Sequence, residues 1–499
     1  MSSNKEVRQV RLEKLEKIKA RGVNPYPAKT DRQFSLADIS GVDIFEKFSA
    51  EKKSVTLAGR VMSLRPQGAL IFLHIYDGTA KFQGLLKKDD VVKNDFDFFN
   101  EVVDIGDFVE LTGTLFTTKR GEKTLEVTSW KMLSKSLRDL PEKWHGIQDP
   151  DARLRRRYLD ILFNEDVREL FVKKSLFWNA VRTFLQKEGF LEVETPVLET
   201  TTGGADARPF ATHHNALDID VFLRISCGEL WQKQLMVAGY PKVFEIGRIF
   251  RNEGMSAEHA QDYTQLEWYW AYADAEKGME LTERLYKYVA QETFGTLIFT
   301  IGEHQIDLGQ KWERYDYTET IKKMTGIDIK IIDLAAIEKK LHELKVTYDK
   351  KGWNKSRAID SLWKYCRKNI PGPGFLVGVP KEISPLAKTS ETDPTVVERF
   401  QPLIAGSELG NGYSELNDPI DQAERFEAQS KLREAGDDEA QMFAHEFVEA
   451  LEYGMPPTCG FGMSERVFAF LANTSIREAQ IFPLMKPRQG GGAADIDEE

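Results

Sequence analysis

The stretch VFEIGRIFRNEGMSAEHAQDYTQLEWYW, residues 243–270, decides how the rest of the chain is read. Successive residues of a strand point to opposite faces. Over its first half Glu245, Gly247, Ile249, Arg251 and Glu253 therefore share one face, and Phe244, Ile246 and Phe250 the other. A polar, glycine-bearing run from Gly254 to Asp262 reads as a long hairpin loop, after which Gln265, Glu267 and Tyr269 alternate with Leu266, Trp268 and Trp270. Such a pair carries arginine and carboxylates on one side and aromatic bulk on the other. A salt-bridged pair at a surface is the plain alternative, although strands backed by Phe244, Phe250, Trp268 and Trp270 seldom face water on both sides. The charged face suits a ligand that is both anionic and cationic.

Downstream, two segments carry similar polar groups. GSELGNGYSELNDP, residues 406–419, places Asn411, Tyr413 and Glu415 on one face if it runs as a strand, and is otherwise a solvated loop rich in Gly, Asn and Asp. GMPPTCGFGMSERVFAFLAN, residues 454–473, reads as a strand of small residues turning into a helix whose first turn holds Glu465 and Arg466. Upstream, Val167 to Glu188 has the apolar spacing of a long helix, and GFLEVETPVLETTTGGADARPF, residues 189–210, follows as a short strand broken by Pro196 and a glycine-bearing loop. His213 and His214 are adjacent on an extended stretch and point oppositely, which disfavours a shared metal.

The N-terminal third has a different character. Between Val55 and Trp130, short alternating or apolar runs separated by Gly- or Asp-bearing turns predict five strands and a small closed barrel of the OB type. Arg65, Phe72 and Gln83 on such a barrel suit stacking on unpaired bases and reading of their edges. Before the barrel, Val7, Val10, Leu12, Leu15 and Ile18 recur at helical spacing in a basic segment closed by Gly22, Pro25 and Pro27. This helix either packs on its own domain or touches RNA. Residues 134–152 form a proline-bearing linker, 321–369 a Lys- and Glu-rich helical insertion between core strands, and 488–499 a disordered acidic tail.

Composition bounds the function. At 499 residues, two or three domains are expected, and with 41% hydrophobic and 29% charged residues the chain has the make-up of a soluble protein. No apolar run of ~18 residues is present to span a bilayer, and the charged first 21 residues are no secretory leader. Cys227, Cys366 and Cys459 are too far apart to pair as metal ligands and fit a reducing cytoplasm. A net charge of -11 argues, taken alone, against nucleic acid, yet seven Lys/Arg against three Glu in residues 1–21 and the run RLRRR at 153–157 concentrate basic charge toward the N-terminus.

Taken together, GFLEVETPVL (189–198), FRNEG (250–254) and GFGMSER (460–466) resemble motifs 1, 2 and 3 of the class II lysyl-tRNA synthetases. LPEKWHGIQDPDARLRRRYLD (140–160), ARPFATHHNALD (207–218), EISPLAK (382–388) and YSELNDPIDQ (413–422) are similar to further stretches of that family, and their order along nearly the whole chain makes the likeness specific. The resemblance implies an α+β fold: an OB-fold anticodon-binding domain at 55–133, preceded by the basic helix and lead-in of 1–54, then a class II catalytic domain at 153–487 built on a six-stranded antiparallel sheet. It implies activation of L-lysine by ATP with Mg²⁺, transfer to tRNA(Lys), and a homodimer joined through motif 1. Arg251, Glu253 and Arg466 would be catalytic, with Arg251, Glu253, His259, Tyr263, Glu408 and Arg466 around ATP and Glu408 on the metal. Gly204, Glu229, Glu267, Tyr269, Asn411, Tyr413 and Glu415 would hold lysine, and Arg65, Phe72 and Gln83 the anticodon.

This sequence departs from the family pattern in four places. GFGMSER is one residue shorter than the usual motif 3, RISCGELW (224–231) is one residue longer than its counterpart, Glu258 stands where a phosphate-facing arginine is common, and Gln401 replaces a second magnesium carboxylate. The acidic set Glu229, Glu267 and Glu415 favours lysine over aspartate or asparagine; an aspartate-specific relative would need Lys or Arg there instead. A paralogue that binds nucleic acid without charging it is a further alternative, opposed by the intact Arg251, Glu253 and Arg466.

Overall fold

A computed structural model describes residues 4–91, 95–141, 147–205, 207–254, 259–348, 354–434 and 440–487. The tail at 488–499 and Glu258 lie outside the described residues. The chain divides into two compact units, one running to Leu159 and including the stretch from Met485, the other spanning Asp160–Leu484.

In the first unit, strands Ser54–Gln67, Leu70–Tyr76, Lys81–Lys87, Lys123–Ser134 and Phe108–Thr117 close a barrel in that spatial order. Alternation along Leu70–Tyr76 sends Ile71, Leu73 and Ile75 into the core and leaves Phe72, His74 and Tyr76 half-exposed. Helix Asp95–Val102, whose Phe96, Phe98, Phe99 and Val102 are buried, completes that core. The N-terminal helix Asn4–Ala20 packs on its own unit: Arg11 donates to the Arg138 and Ile105 carbonyls, Lys14 pairs with Asp104 at 2.6 Å and Lys17 with Glu101 at 2.6 Å. Lys5 and Arg8 stay exposed. Just beyond the barrel the buried Lys135 ammonium lies 2.5 Å from Asp104 and 2.8 Å from Asp107, so the start of the connecting stretch is fixed by charge in a dry environment.

The second unit is organised by one sheet. Its strands run in the order Glu313–Asp316, Gly374–Val377, Arg399–Ile404, Asn411–Ser414, Thr458–Ser464, Asp262–Ala271, Lys242–Phe250, Leu191–Glu192, with Ser407–Glu408 paired to Arg399–Ile404. The pairings from Gly374–Val377 to Lys242–Phe250 are all antiparallel, and only the two outer strands join in parallel. The antiparallel portion is thus the six strands expected, joined by the two-residue Ser407–Glu408 as a seventh, inside a nine-stranded sheet. Helices Glu165–Lys187 and Ala275–Phe294 cover one face, burying Phe177, Leu185, Leu285 and Val289 against Phe244, Leu266 and Trp268. Trp268 is fully buried, edge-on to Phe190 and tilted against Phe461. Trp268→Ala removes the largest of these side chains, and chemical denaturation should show a loss of about 3–5 kcal/mol; a loss under 1 kcal/mol would contradict this packing.

Candidate active site

The other face of the sheet carries two cavities that share a wall. The hairpin register sets Glu245 opposite Glu267 and Gly247 opposite Gln265, and the next pairing sets Glu267 opposite Gly462 and Tyr269 opposite Gly460. The ladder of the first strand ends at Phe250, so Arg251 and Glu253 do not extend its face as strict alternation predicts. Instead the chain leaves to meet the 207–210 loop, the Asn252 amide donating to the Arg208 carbonyl at 2.8 Å. The Arg251 amide still reaches the Gln261 carbonyl at 2.7 Å, and its Nε reaches the Ile225 carbonyl at 3.2 Å, which holds the guanidinium across the end of the hairpin.

The first cavity, of about 340 Å³, is lined by Gly204, Glu229, Glu267, Tyr269, Asn411, Tyr413 and Glu415, with Arg251 at its border. The second, of about 330 Å³, is lined by Arg251, Glu253, His259, Tyr263, Glu408 and Arg466, with Gln401 beside them. Arg251, Gln265, Asn411 and Gly462 line both. The structure therefore gathers the seven residues assigned to lysine in one cavity and the six assigned to ATP in the other.

Local structure explains how three carboxylates come together. Glu229 is the first residue of helix Glu229–Val237, entered through Gly228 at φ +73°. A Cβ on Gly228 would lie 2.0 Å from Thr195 Oγ1, so glycine is required there by both backbone and contact. Glu267 accepts from the Cys227 amide at 2.7 Å, from Gln265 Nε2 at 2.7 Å and from the Tyr269 hydroxyl at 3.0 Å. Glu415 follows strand Asn411–Ser414 and is 2% exposed; neither carboxylate oxygen has a hydrogen-bond partner, although Oε2 makes an ion-pair contact with the Lys233 ammonium at 2.5 Å and Oε1 makes none. At Gly460 a Cβ would stand 2.2 Å from Oε1 and 2.5 Å from the Tyr269 ring, which makes the small residues of strand Thr458–Ser464 a condition for the cavity.

Burial, reinforced by the Glu229 charge, pushes the Glu267 carboxyl up to about 8. Burial also drives the Glu415 carboxyl well up, against the opposing pull of Lys233. In so dry a space Glu267 and Glu415 hold their charge only when cations neutralise them. In the second cavity two arginines, Arg251 and Arg466, stand with two carboxylates, Glu253 and Glu408. Arg466 Nη1 reaches the Glu408 carbonyl at 3.4 Å, and Trp363 Nε1 holds Glu408 Oε1 at 2.5 Å. Glu465, fully buried, pairs with Lys174 at 2.8 Å and anchors the turn that presents Arg466.

Sequence reasoning passed over several of these groups. Gln265 is read on the charged face but given no role; Lys233 is not singled out, nor is Arg399, which lines the first cavity and donates from Nε to Asn411 Oδ1 at 2.7 Å, nor Arg224, which forms a buried ion pair with Glu245 at 2.5 Å. The alternation that selected Glu267 places Gln265 on the same face, which was the available signal. On the barrel, Arg65 and Phe72 are direct cross-strand partners, and Gln83 sits opposite His74 on the same face. Gln83, however, is only 7% exposed and its amide donates to Thr124 Oγ1 at 2.8 Å, so Arg65 and Phe72 are the two members open to a base. Among the described residues no helix is long and apolar enough to cross a membrane.

Comparisons with known proteins agree with this architecture. Residues 149–486 match the tRNA synthetases class II (D, K and N), and residues 55–133 match the OB-fold nucleic acid binding domain. Relatives named lysine–tRNA ligase include one from Thermosipho africanus, 43% identical over 97% of this chain and 96% of its own length. One from Thermoanaerobacter pseudethanolicus is 45% identical over 97% and 96%, and one from Bacillus subtilis 42% identical over 96% and 97%. The chain belongs to the class II tRNA synthetases of the D, K and N group, with an OB-fold nucleic acid binding domain before the catalytic unit.

Proposed function

We propose that the protein is a lysine–tRNA ligase, which joins L-lysine to ATP as lysyl-adenylate and passes the lysyl group to tRNA(Lys). The observation that carries this reading is the pair of cavities meeting at Arg251, one walled by three buried carboxylates and the other by two arginines with Glu253 and Glu408. The near-full-length likeness to lysine–tRNA ligases supports the same substrate. Lysine lies in the first cavity with its ammonium groups among Glu229, Glu267 and Glu415 and its carboxylate toward Arg251. ATP lies in the second, with its phosphates toward Arg251 and Arg466. A lysine carboxylate oxygen attacks the α-phosphorus, the new P–O bond forms as the bond to pyrophosphate breaks, and pyrophosphate departs. Arg251 faces the charge that develops at that phosphorus, so catalysis consists of positioning and charge neutralisation and needs no nucleophilic side chain. The tRNA 3′-terminal hydroxyl then attacks the lysyl carbonyl carbon and AMP leaves.

Glu408, with Oε1 held by Trp363 and Gln401 nearby, offers a single carboxylate. That donor set fits Mg²⁺, which keeps several waters and takes the rest of its ligands from nucleotide phosphates; when bound, it neutralises phosphate charge. Arg65 and Phe72 serve the anticodon. The half-exposed apolar residues Leu191, Val197 and Leu198, 42–49% exposed, would be covered in a homodimer. The three cysteines are buried and unpaired, which fits a cytoplasmic setting.

The direct test is exchange of labelled pyrophosphate into ATP with each amino acid in turn: lysine alone should support it, and exchange driven by aspartate or asparagine instead would refute the reading. Acid–base behaviour gives a second test. Below pH 8 the Glu267 carboxyl of the free enzyme holds a proton, whereas an ammonium ligand requires the carboxylate. Because burial raises Glu415 as well, lysine binding at pH 7 should therefore release protons, and affinity should rise between pH 6 and 8. Calorimetry in two buffers of different ionisation heat measures this release; zero release at pH 7 would contradict it.

A further inference from the structure

The lysine cavity contains a cation of its own making. Lys233 lies one turn after Glu229 on helix Glu229–Val237 and is 1% exposed. Its ammonium is 2.6 Å from Glu229 Oε1 and 2.5 Å from Glu415 Oε2. It also lies within 5.4–5.9 Å of the rings of Tyr269, Tyr413 and Phe447, an arrangement that favours the charged form. Burial alone would lower its pKa, but Glu229 and Glu415 outweigh that and raise it. Lys233 is not one of the cavity's lining residues; it stands behind the two carboxylates and touches the cavity through them.

The positions of the remaining carboxylate oxygens follow from this contact. Glu229 Oε1 is occupied by Lys233 and by the Tyr413 hydroxyl, and its Oε2 is turned toward Gly204 at the cavity wall, 3.0 Å from where a Cβ on that residue would sit. Glu415 Oε2 is drawn to Lys233 by an ion pair rather than a hydrogen bond, which leaves Oε1, with neither, beside Gly460 and Tyr269. Once lysine is bound and all three carboxyls are ionised, the four buried groups, three carboxylates and one ammonium, leave two negative charges, apart from the partly exposed Arg251 and Arg399 that also line the cavity. Free lysine brings two ammonium groups.

We propose that Lys233 is a positioning residue that determines specificity: a built-in ammonium that neutralises one of the three pocket carboxylates and aims the free oxygens of Glu229 and Glu415 at the substrate, so that the cavity presents as many negative charges as lysine has ammonium groups. The inference rests on the assignment of this cavity to lysine. It gives Lys233 a role beyond support of helix Glu229–Val237, because a supporting residue could be lost only at a cost, whereas a balancing charge can be removed together with its counter-charge.

The test compares the parent enzyme with K233M, E229Q and the E229Q/K233M double variant in lysine-dependent pyrophosphate exchange, with KM determined separately for lysine and ATP. If the parent shows no lysine dependence, the assignment of the cavity fails before the variants are compared. With a responsive parent, E229Q keeps Lys233 and drops the pocket to one net negative charge, so its lysine KM should rise by about a hundredfold. The double variant restores two charges, and its lysine KM should be about fivefold lower than that of E229Q, while the ATP KM of both stays near the parent's. K233M alone should raise the lysine KM by about tenfold; should it fold poorly in a thermal melt, the comparison of E229Q with the double variant still decides the matter. A double variant that is inactive or no better than E229Q, or lysine and ATP KM values that move together, would overturn the proposal.

Discussion

Replacing Arg251 by alanine is expected to lower lysine-dependent pyrophosphate exchange by about a thousandfold. Most of that loss should fall on kcat, with lysine and ATP each still bound. The expectation follows from position, since Arg251 borders both cavities and its guanidinium is held by the Ile225 carbonyl where the two cavities meet. A preorganised cation at that junction acts on charge that exists only as the new bond forms, so its removal affects the transition state more than either ground state. Stopped-assay exchange kinetics with both substrates varied would check this. An Arg251→Ala enzyme within tenfold of the parent would place the phosphoryl chemistry elsewhere, and with it would revive the idea of a chain that binds nucleic acid without charging it.

The second large effect is expected at Glu415. Glu415→Gln keeps the shape of a side chain that is 2% exposed but removes the charge that faces the cavity through Oε1. Lysine kcat/KM should fall on the order of 100-fold, nearly all of it in KM for lysine, while KM for ATP is unchanged. Discrimination against an uncharged amino acid of the same length should shrink correspondingly, because a neutral amide no longer penalises the missing ammonium. If Glu415→Gln left lysine activation intact, the cavity would not be the lysine site, and an aspartate- or asparagine-type reading would have to be reopened.

Much of this was legible because strand periodicity is local. The residues at 243–270 announce two strands with Phe244, Leu266 and Trp268 on one side and Glu245 and Glu267 on the other, and the register of the sheet follows that division. Alternation failed where the ladder stopped: at Phe250 the backbone leaves its partner for the 207–210 loop, an event set by a contact more than forty residues away in sequence. Gln83 illustrates a related gap, since its face on the barrel is readable but its bond to Thr124 depends on the parallel pairing of two strands distant in the chain. Lys233 was the least legible. In ELWQKQLMV, residues 229–237, a lysine reads as a solvated helical side chain, and nothing nearby in sequence reveals that Glu415 returns to meet it. Helix Asp95–Val102 was likewise hidden, its phenylalanines at 96, 98 and 99 matching neither period cleanly.

The wall common to the two cavities also bears on inhibition and resistance. A single molecule that fills both spaces, a stable mimic of the mixed anhydride, would engage the second site at high effective concentration once the first is filled, gaining several orders of magnitude over either half alone. Arg251, Gln265, Asn411 and Gly462 would all lie against such a molecule. A substitution at any of these four that weakened the inhibitor would also disturb the contact surface of both natural substrates. Escape by point mutation should therefore be confined to the parts of the cavities that are not shared, where each change relieves only half of the inhibitor's grip.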